Sequence, residues 1–495
     1  MTAVETSTSA APAEQANKIT WNQPLKPARF ATRARNLHFA MALHRRGDLR
    51  KAEHLYRAVL KVDRSDFDCL HNLGLLCAQE GRLDDAVRLL RAGARQDPRS
   101  PEAHNNLANV LAMMQRHDQA AAGFRTAIAL RPDFAEAHNN LANALAAQGK
   151  TEEAARHYRQ AIALRPAYGD AHLNLGRMLS NEGALDSAAT HYRRALALGT
   201  RPAETHCLIG DLQRRRGQAD AAAASYRQAI KHAPDLVEAW LGLGHALRRE
   251  QKPAEAIAVY RQALAKGADA QIIHYYLAAL GAAAAPPATP RRLVSAIFDR
   301  YSARYDRHVV ERLKYRTPNL LFDLVVRSLP ARDLKVVDLG CGTGLAGALF
   351  RPLAGNLVGV DMSASMLELA RQRGVYDELF CGELIDFLRS HRARCDLALA
   401  ADVLVYLGDL GRLFACVHQT LAPGGRFVFS VEAAEGGELG QDFVLQPTLR
   451  YAHSAAYLRR QAEKHGFVFE AIEMQALRRE EDRDINGHLV ILRRN

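Results

Sequence analysis

The chain has 495 residues, too many for one compact domain. Its hydrophobic content of 48% and charged content of 24% are typical of a globular protein, and no apolar run is long enough to cross a bilayer. The net charge of +12 comes from arginines spread along helical patterns, with no basic run interleaved with aromatic residues, so neither a membrane nor a nucleic-acid function is expected.

Residues 1–30 are predicted to form a disordered tail. They are rich in Ala, Thr, Ser and Pro, and they lack the basic start and apolar stretch of a signal peptide. The seven cysteines form no Cys-x-x-Cys pair. An odd, scattered set indicates reduced thiols and a cytoplasmic location, and it argues against disulfides and a metal site.

Residues 31–281 repeat with a period of 34, in seven full units and one partial unit. Each full unit has a small residue in its second helix and a large residue four positions later, so that paired helices can touch and the large residue can fill the next groove. The small residues are Ala52, Ala86, Ala120, Ala154, Ala188, Ala222 and Ala256, and the large ones are Tyr56, Leu90, Phe124, Tyr158, Tyr192, Tyr226 and Tyr260.

This pattern resembles the tetratricopeptide repeat. The resemblance implies an all-α solenoid whose concave face binds a protein or peptide. Asparagines occupy the sixth position of four units, where their amides could hold an extended peptide, as in the similar repeats of O-GlcNAc transferases. Asn is also common there in the repeat consensus, so a purely structural role stays open. The four are Asn72, Asn106, Asn140 and Asn174.

The histidines at the fourth position of the units are one per unit, and we interpret them as packing residues. Residues 282–292 are rich in Ala and Pro and predict a semi-extended linker. The remaining residues, 293–495, are predicted to form the second domain.

Residues 336–344 read Val-Val-Asp-Leu-Gly-Cys-Gly-Thr-Gly, and the next apolar strand ends at Asp361. Alternating glycines let backbone amides approach a ligand, and an acid at the second strand's end can accept hydrogen bonds from two ribose hydroxyls. The third glycine comes only two residues after the second, so the loop fits a ligand smaller than a dinucleotide.

The stretch resembles the class I methyltransferases that use S-adenosylmethionine (SAM). The resemblance implies a Rossmann-like α/β domain with parallel strands. Its predicted cofactor-binding residues here are Asp338, Gly340, Cys341, Gly342, Gly344 and Asp361.

The segment before this loop, Phe-Asp-x-Tyr-x-x-x-Tyr-Asp from Phe298, is similar to lead-ins of ubiquinone and malonyl-carrier-protein methyltransferases. That similarity implies that Tyr301 and Tyr305 cap the cofactor and that Arg316 pairs with its carboxylate. An amphipathic helix packed on the sheet through its aromatic residues is the alternative.

Further along, Met362 can lie on the adenine face, and Glu383, with Asp386 as competitor, can meet the adenine amino group. The fourth strand delivers Asp402, which we also predict to bind the cofactor, and Tyr406 at its carboxyl end. Because ligands of open sheets lie outside the carboxyl ends of the strands, both residues are expected to face the methyl group.

We place the acceptor pocket between Tyr406 and the segment from Tyr451 to His453. His453 is the predicted general base, because its ordinary pKa suits proton removal near neutrality, while Tyr451 and Tyr406 orient the acceptor. A packing role for His453 is the alternative.

Nearly the whole chain resembles predicted bacterial methyltransferases that carry tetratricopeptide repeats. We expect methyl transfer from SAM, with the repeats binding a protein partner or peptide substrate. Two alternatives stay open: an interaction scaffold whose methyltransferase domain has little or no activity, and a small-molecule methyltransferase whose repeats serve localisation. The acceptor cannot be read from the sequence.

Overall fold

The structure, a computed structural model, describes residues 30–302, 305–328, 333–391, 394–434, 442–480 and 483–495. Of residues 30–32, 300 and 301 only the backbone is described. The predicted tail therefore lies almost entirely outside the described residues. The chain forms two compact units, and the division falls between Leu212 and Gln213.

The repeats are antiparallel helical pairs, as the period predicts. The second helix of each full repeat buries an alanine against its partner, which lets the two backbones approach closely. The helices are α1 Phe30–Arg45, α2 Leu49–Val62, α3 Phe67–Gln79, α4 Leu83–Gln96, α5 Pro101–Met113, α6 His117–Leu130, α7 Ala135–Ala147, α8 Thr151–Leu164, α9 Gly169–Asn181, α10 Leu185–Ala197, α11 Pro202–Arg215, α12 Ala219–His232, α13 Val237–Arg249, α14 Pro253–Ala265 and α15 Ala270–Ala279.

Small and large residues of the repeat face each other closely. A Cβ built on Gly176 would lie 2.7 Å from the ring of Tyr192, which is itself buried. The residue at the fourth position has a separate task. His138 donates through Nε2 to the carbonyl of Pro132 at 3.1 Å, so this position ties each helix to the turn before it.

In the first compact unit, asparagines of consecutive repeats are linked by hydrogen bonds between their side chains, and we call this set the Asn ladder. Asn140 donates through Nδ2 to Oδ1 of Asn105 at 3.2 Å, and Asn174 donates to Oδ1 of Asn139 at 3.2 Å. The four predicted positions are partly exposed, and their amide nitrogens already donate within the repeats, to Asp68, His71, Asn105, Asn139 and Asn143. Peptide binding by these residues stays a prediction.

The second unit contains a nine-stranded sheet after the last repeats. Strands β3, β2, β1, β4 and β5 lie side by side and parallel, β9 pairs antiparallel with β5, and β8 pairs with β9. The strands are β1 Leu334–Leu339, β2 Ala354–Asp361, β3 Glu378–Cys381, β4 Cys395–Ala400, β5 Leu421–Ala433, β6 Phe443–Leu445, β7 Tyr451–His453, β8 Phe467–Glu480 and β9 Arg483–Arg494.

Helices cover both faces of this sheet, because successive residues of the buried strands point to opposite sides. Val336 belongs to the core on one face and Val337 to the core on the other. The Rossmann-like prediction is thereby confirmed. The helices are α16 Arg291–Tyr301, α17 Tyr305–Arg307, α18 Thr317–Ser328, α19 Leu345–Phe350, α20 Ala364–Arg373, α21 Leu384–Ser390, α22 Gly411–Thr420 and α23 Ala455–Lys464.

In the described part of the chain, no helix is long and apolar enough to cross a membrane.

Candidate active site

The glycine loop is fastened to the end of β2. The amides of Gly340 and Cys341 both donate to the carbonyl of Val360, at 2.8 and 3.0 Å. The amide of Gly342 donates to Oδ2 of Asp361 at 2.9 Å. Because β1 and β2 run parallel, the loop and the acid meet at the carboxyl edge of the sheet.

A cavity of about 360 Å³ opens at this edge. It lies at the carboxyl ends of the strands, where open α/β sheets bind ligands. Eight of the predicted site residues line it, namely Tyr305, Gly340, Gly342, Asp361, Met362, Glu383, Asp402 and Tyr406. Other wall residues include Pro287, Ala288, Thr289, Arg291, Phe298, Met366, Leu384, Ile385, Val403, Leu407 and Arg412.

Three predicted residues lie behind this wall. Asp338 is buried beneath the loop, where Tyr376 donates to its Oδ2 at 2.7 Å, and burial raises the pKa of this carboxyl to about 7. Cys341 is also buried, which raises the pKa of its thiol. Gly344 has φ +89° and lies against Tyr376, so its left-handed backbone begins α19. These residues support the loop from below.

Aromatic rings and carboxylates of the lead-in segment cover the cavity. The ring of Phe298 lies edge-on to Tyr406 at 5.6 Å and to Tyr305 at 6.2 Å. Asp299 accepts a hydrogen bond from the hydroxyl of Ser363 at 2.6 Å, at the start of α20. The segment is therefore anchored next to Asp361. The side chain of Tyr301 lies outside the described residues.

Arg316 is not where the resemblance placed it. Its side chain is exposed and is not part of the cavity wall, while its backbone amide donates to the carbonyl of Leu477 at 3.0 Å. The backbone of this residue is thus paired with β8. A contact of Arg316 with the cofactor stays a prediction.

Of the two acids proposed for the adenine amino group, Glu383 lines the cavity and Asp386 is exposed. Glu383 also begins α21, because its Oε2 accepts the amides of Ile385 and Asp386 at 3.0 Å each. Both acids pair with the guanidinium of Arg291 on α16, at 3.2 and 2.9 Å.

A network of buried charges stands behind Asp402. Arg478 reaches Oδ1 of Asp402 at 3.2 Å and Oε1 of Glu480 at 2.7 Å, and it also pairs with Glu432. Arg450 contacts Glu432 and Glu480, at 3.3 and 3.1 Å. The network has three carboxylates and two guanidinium groups. Each guanidinium group therefore contacts at least two of the carboxyl groups.

Burial acts strongly on the acids of this network. It raises the pKa of Glu432 to about 8 and that of Asp402 to about 6. Asp402 also has a φ of 56°, which is uncommon outside glycine, and its amide donates to the hydroxyl of Ser430 at 2.9 Å. A buried acid with a raised pKa and a left-handed backbone on a cavity wall is typical of a functional group.

The structure corrects the expected positions of His453 and Tyr451. His453 has 0% exposure on β7 and lies outside the cavity wall, and its Nε2 bonds to the carbonyl of Gly408 at 3.0 Å. Burial lowers the pKa of this imidazole to about 4. Tyr451 is equally buried, and its hydroxyl donates to the carbonyl of Pro286 at 2.7 Å. Neither side chain lines the cavity. Both belong to β7, and His453 packs against the segment that follows β4.

Sequence reasoning missed the charged network and the linker wall. Arg450 directly precedes Tyr451, but nothing in the sequence around it indicates a buried ion pair. Arg478 lies 76 positions from Asp402, and nothing near either residue in the sequence links them. Thr289 lies in the predicted linker, where composition gives no hint of a cavity.

Sequence comparisons agree with this geometry. The fold and the cavity define a Rossmann-like domain of the class I methyltransferase type. Residues 308–472 match the family model described as a methyltransferase domain. Residues 37–101, 139–202 and 207–271 match one tetratricopeptide repeat model, and residues 99–167 match another. The chain therefore combines tetratricopeptide repeats with a methyltransferase domain.

Several relatives that match part of the chain are named as methyltransferases. A malonyl-[acyl-carrier protein] O-methyltransferase of Pseudescherichia vulneris is 28% identical over 144 residues, which are 29% of this chain and 55% of that protein. A ubiquinone biosynthesis O-methyltransferase of Rhodopseudomonas palustris is 32% identical over 101 residues, which are 19% of this chain and 38% of that protein. The chain thus spans about half, or less, of the length of these relatives.

Part of the chain is also similar to solved structures. A thermophilic repeat protein of Thermus thermophilus is 25% identical, with a TM-score of 0.33, over 37% of this chain and 98% of that chain.

The buried state of His453 predicts an acid-sensitive fold. Its folded pKa of about 4 lies below the ordinary value of 6.5, so its contribution is complete above about pH 6.5 and is lost as the pH falls toward 4. Between about pH 7.5 and pH 5 we expect the free energy of unfolding to fall by about 2 kcal/mol because of His453. The variant His453→Gln should lack this part of the pH dependence. Unfolding of both proteins at the two pH values measures this; equal pH sensitivity would contradict it.

Proposed function

We propose that this protein transfers a methyl group from SAM to an oxygen of an acceptor bound in the cavity. The proposal rests mainly on one observation: the amide of Gly342 in the glycine loop donates to Asp361, and both residues line the cavity. The O-methyltransferase names of the relatives support oxygen as the accepting atom.

The residues present fit the cofactor. A Cβ built on Gly342 meets no atom within 4 Å, so the backbone of the loop faces open space. Both oxygens of Asp361 accept backbone amides, from Gly342 and from Ser363, and each keeps a lone pair for a ribose hydroxyl. Met362 and Glu383 would hold the adenine.

When bound, SAM supplies a methyl carbon that is already activated by its sulfonium. The chain's own task is then to align the acceptor and exclude water. Phe298, Tyr305 and Tyr406 form an aromatic cover above the carboxyl ends of β1 and β4. Asp402 also lines the cavity, and its carboxylate contacts Arg478 of the buried charged network.

Asp402 is the group we propose as proton acceptor, in place of His453. It lines the cavity, and Arg478 holds one of its oxygens. An acceptor hydroxyl that loses its proton to Asp402 becomes the nucleophile, and the buried arginines stabilise the carboxylate before the transfer. Because a protonated Asp402 cannot act, turnover should fall as the pH falls through about 6.

The first test concerns the cofactor. Asp361→Ala removes a charged acceptor of two ribose hydrogen bonds, which costs about 1.5 to 3 kcal/mol and weakens binding roughly tenfold to a hundredfold. Calorimetry with SAM measures this. Glu368→Ala, which removes an exposed acid of α20, is the control and should bind normally. Equal affinity of both variants would contradict the ribose role.

The second test concerns proton removal. Asp402→Asn should keep SAM affinity and lower turnover by about a hundredfold or more, and it should abolish the fall of the remaining activity through about pH 6. Labelled methyl incorporation into cell extract is the readout. Asp396→Asn, at the opposite end of β4, is the matched control. Unchanged turnover would leave alignment and exclusion of water as the whole mechanism.

We propose further that the repeats bind the acceptor protein or peptide. Tetratricopeptide repeats generally mediate protein interactions, and the partly exposed Asn ladder offers amide donors and acceptors at a regular spacing. An extended backbone has groups of the same kind.

The third test uses this ladder. Replacing Asn106, Asn140 and Asn174 together by Ala should lower methylation of the natural acceptor at least about tenfold, through several lost amide hydrogen bonds, with SAM affinity unchanged. Gln119→Ala with Gln160→Ala, which removes exposed amides of α6 and α8, is the control. Full methylation by the triple variant would favour a small-molecule acceptor, and SAM binding without any product would favour a scaffold.

A further inference from the structure

The stretch between the last repeat helix and α16 is fixed to the methyltransferase domain. We name residues 286–289 the strap. The carbonyl of Pro287 accepts the amides of Gly408 and Asp409, at 2.8 and 3.0 Å, and Ala288 forms an antiparallel bridge with Leu407. The strap is therefore a short extra edge beside the segment that follows β4.

The strap also reaches back into the repeats of the same compact unit. The amide of Thr289 donates to the carbonyl of Tyr406 at 2.9 Å, and its hydroxyl donates to the hydroxyl of Tyr275 on α15 at 2.8 Å. Tyr275 in turn donates to the carbonyl of Leu449 at 2.7 Å. Thr289 is 6% exposed and Tyr275 is fully buried.

The same strap forms a wall of the cavity. Pro287, Ala288 and Thr289 line it, next to Tyr406 and Leu407. These residues pair with the segment that follows β4. In the proposed reaction this wall would contact the acceptor.

We propose that Tyr275, a residue of the repeats, is a positioning residue for the acceptor wall. It fixes Thr289, and Thr289 fixes the backbone of Tyr406. The proposal rests on the proposed methyl transfer and adds that the last repeat helix is part of the acceptor site.

The geometry favours positioning over simple packing. If the ring of Tyr275 only filled space, its hydroxyl would lack a hydrogen-bond partner, and a buried unpaired hydroxyl destabilises the fold. Here the hydroxyl accepts from one segment and donates to another, so it joins the strap to the turn before β7. The neighbouring Tyr276 differs, since its ring packs on Tyr260 within the repeats.

The experiment compares Tyr275→Phe with Tyr276→Phe in the full chain. Tyr275→Phe should speed amide hydrogen exchange of Thr289, Gly408 and Asp409 by about 5- to 10-fold, the effect of one lost hydrogen bond. Exchange in the glycine loop and affinity for S-adenosylhomocysteine should stay within about twofold of the parent, because the loop is held by β2. Thr289→Val should speed exchange in the same way, and Tyr276→Phe should not.

Methyl transfer from labelled SAM to cell extract completes the test. Lower transfer by Tyr275→Phe, with retained S-adenosylhomocysteine affinity, supports the proposal. Unchanged exchange at Gly408 and Asp409 overturns it, and so does faster exchange with full transfer. A parent protein that does not bind S-adenosylhomocysteine would instead defeat the proposed function, so the two failures are distinguishable.

Discussion

The pairing of β1 with β2 is the constraint on which the candidate site depends. The carbonyl of Val360 accepts two successive amides of the glycine loop, which turns the loop back over the end of its neighbour. That turn brings the loop amides to Asp361. The loop is held from the other side as well, because a Cβ on Gly340 would lie 2.5 Å from Val403. Three parallel strands therefore converge on one edge, and the cavity is the space that remains between their ends.

The parts of this arrangement that the sequence predicted are those set by short-range chemistry. The glycine loop needs backbone freedom within a few residues, and Asp361 needs only a strand that ends beside the loop. The packing of the repeats can be predicted because the small residue and the large residue recur at a fixed interval in every repeat. Fold class, glycine loop and repeat pairing are readable because each depends on neighbours in the chain.

The parts that it missed depend on burial and on distant partners. His453 looked like a base because an imidazole has an ordinary pKa near neutrality. Its pKa in the fold is set by complete burial beside Gly408, which lies 45 positions away. Asp402 looked like one more strand-end acid, and its partner Arg478 lies 76 positions away on β8. A single sequence gives the identity of a titratable group but not the desolvation that decides its role.

The backbone contacts of the linker could not be predicted from the sequence either. Proline predicts an extended chain because it cannot continue a helix. Residues 286–289 lie in no helix and Ala288 forms a bridge with Leu407, whereas α16 already begins at Arg291, inside the predicted linker of residues 282–292. Composition does not say what an extended chain pairs with. Proline lacks an amide donor but keeps its carbonyl, and the carbonyls of Pro286 and Pro287 accept three hydrogen bonds from the methyltransferase domain. The boundary between the two compact units falls between Leu212 and Gln213, inside α11, so the last repeats belong to the same compact unit as the candidate site and the Asn ladder belongs to the other unit.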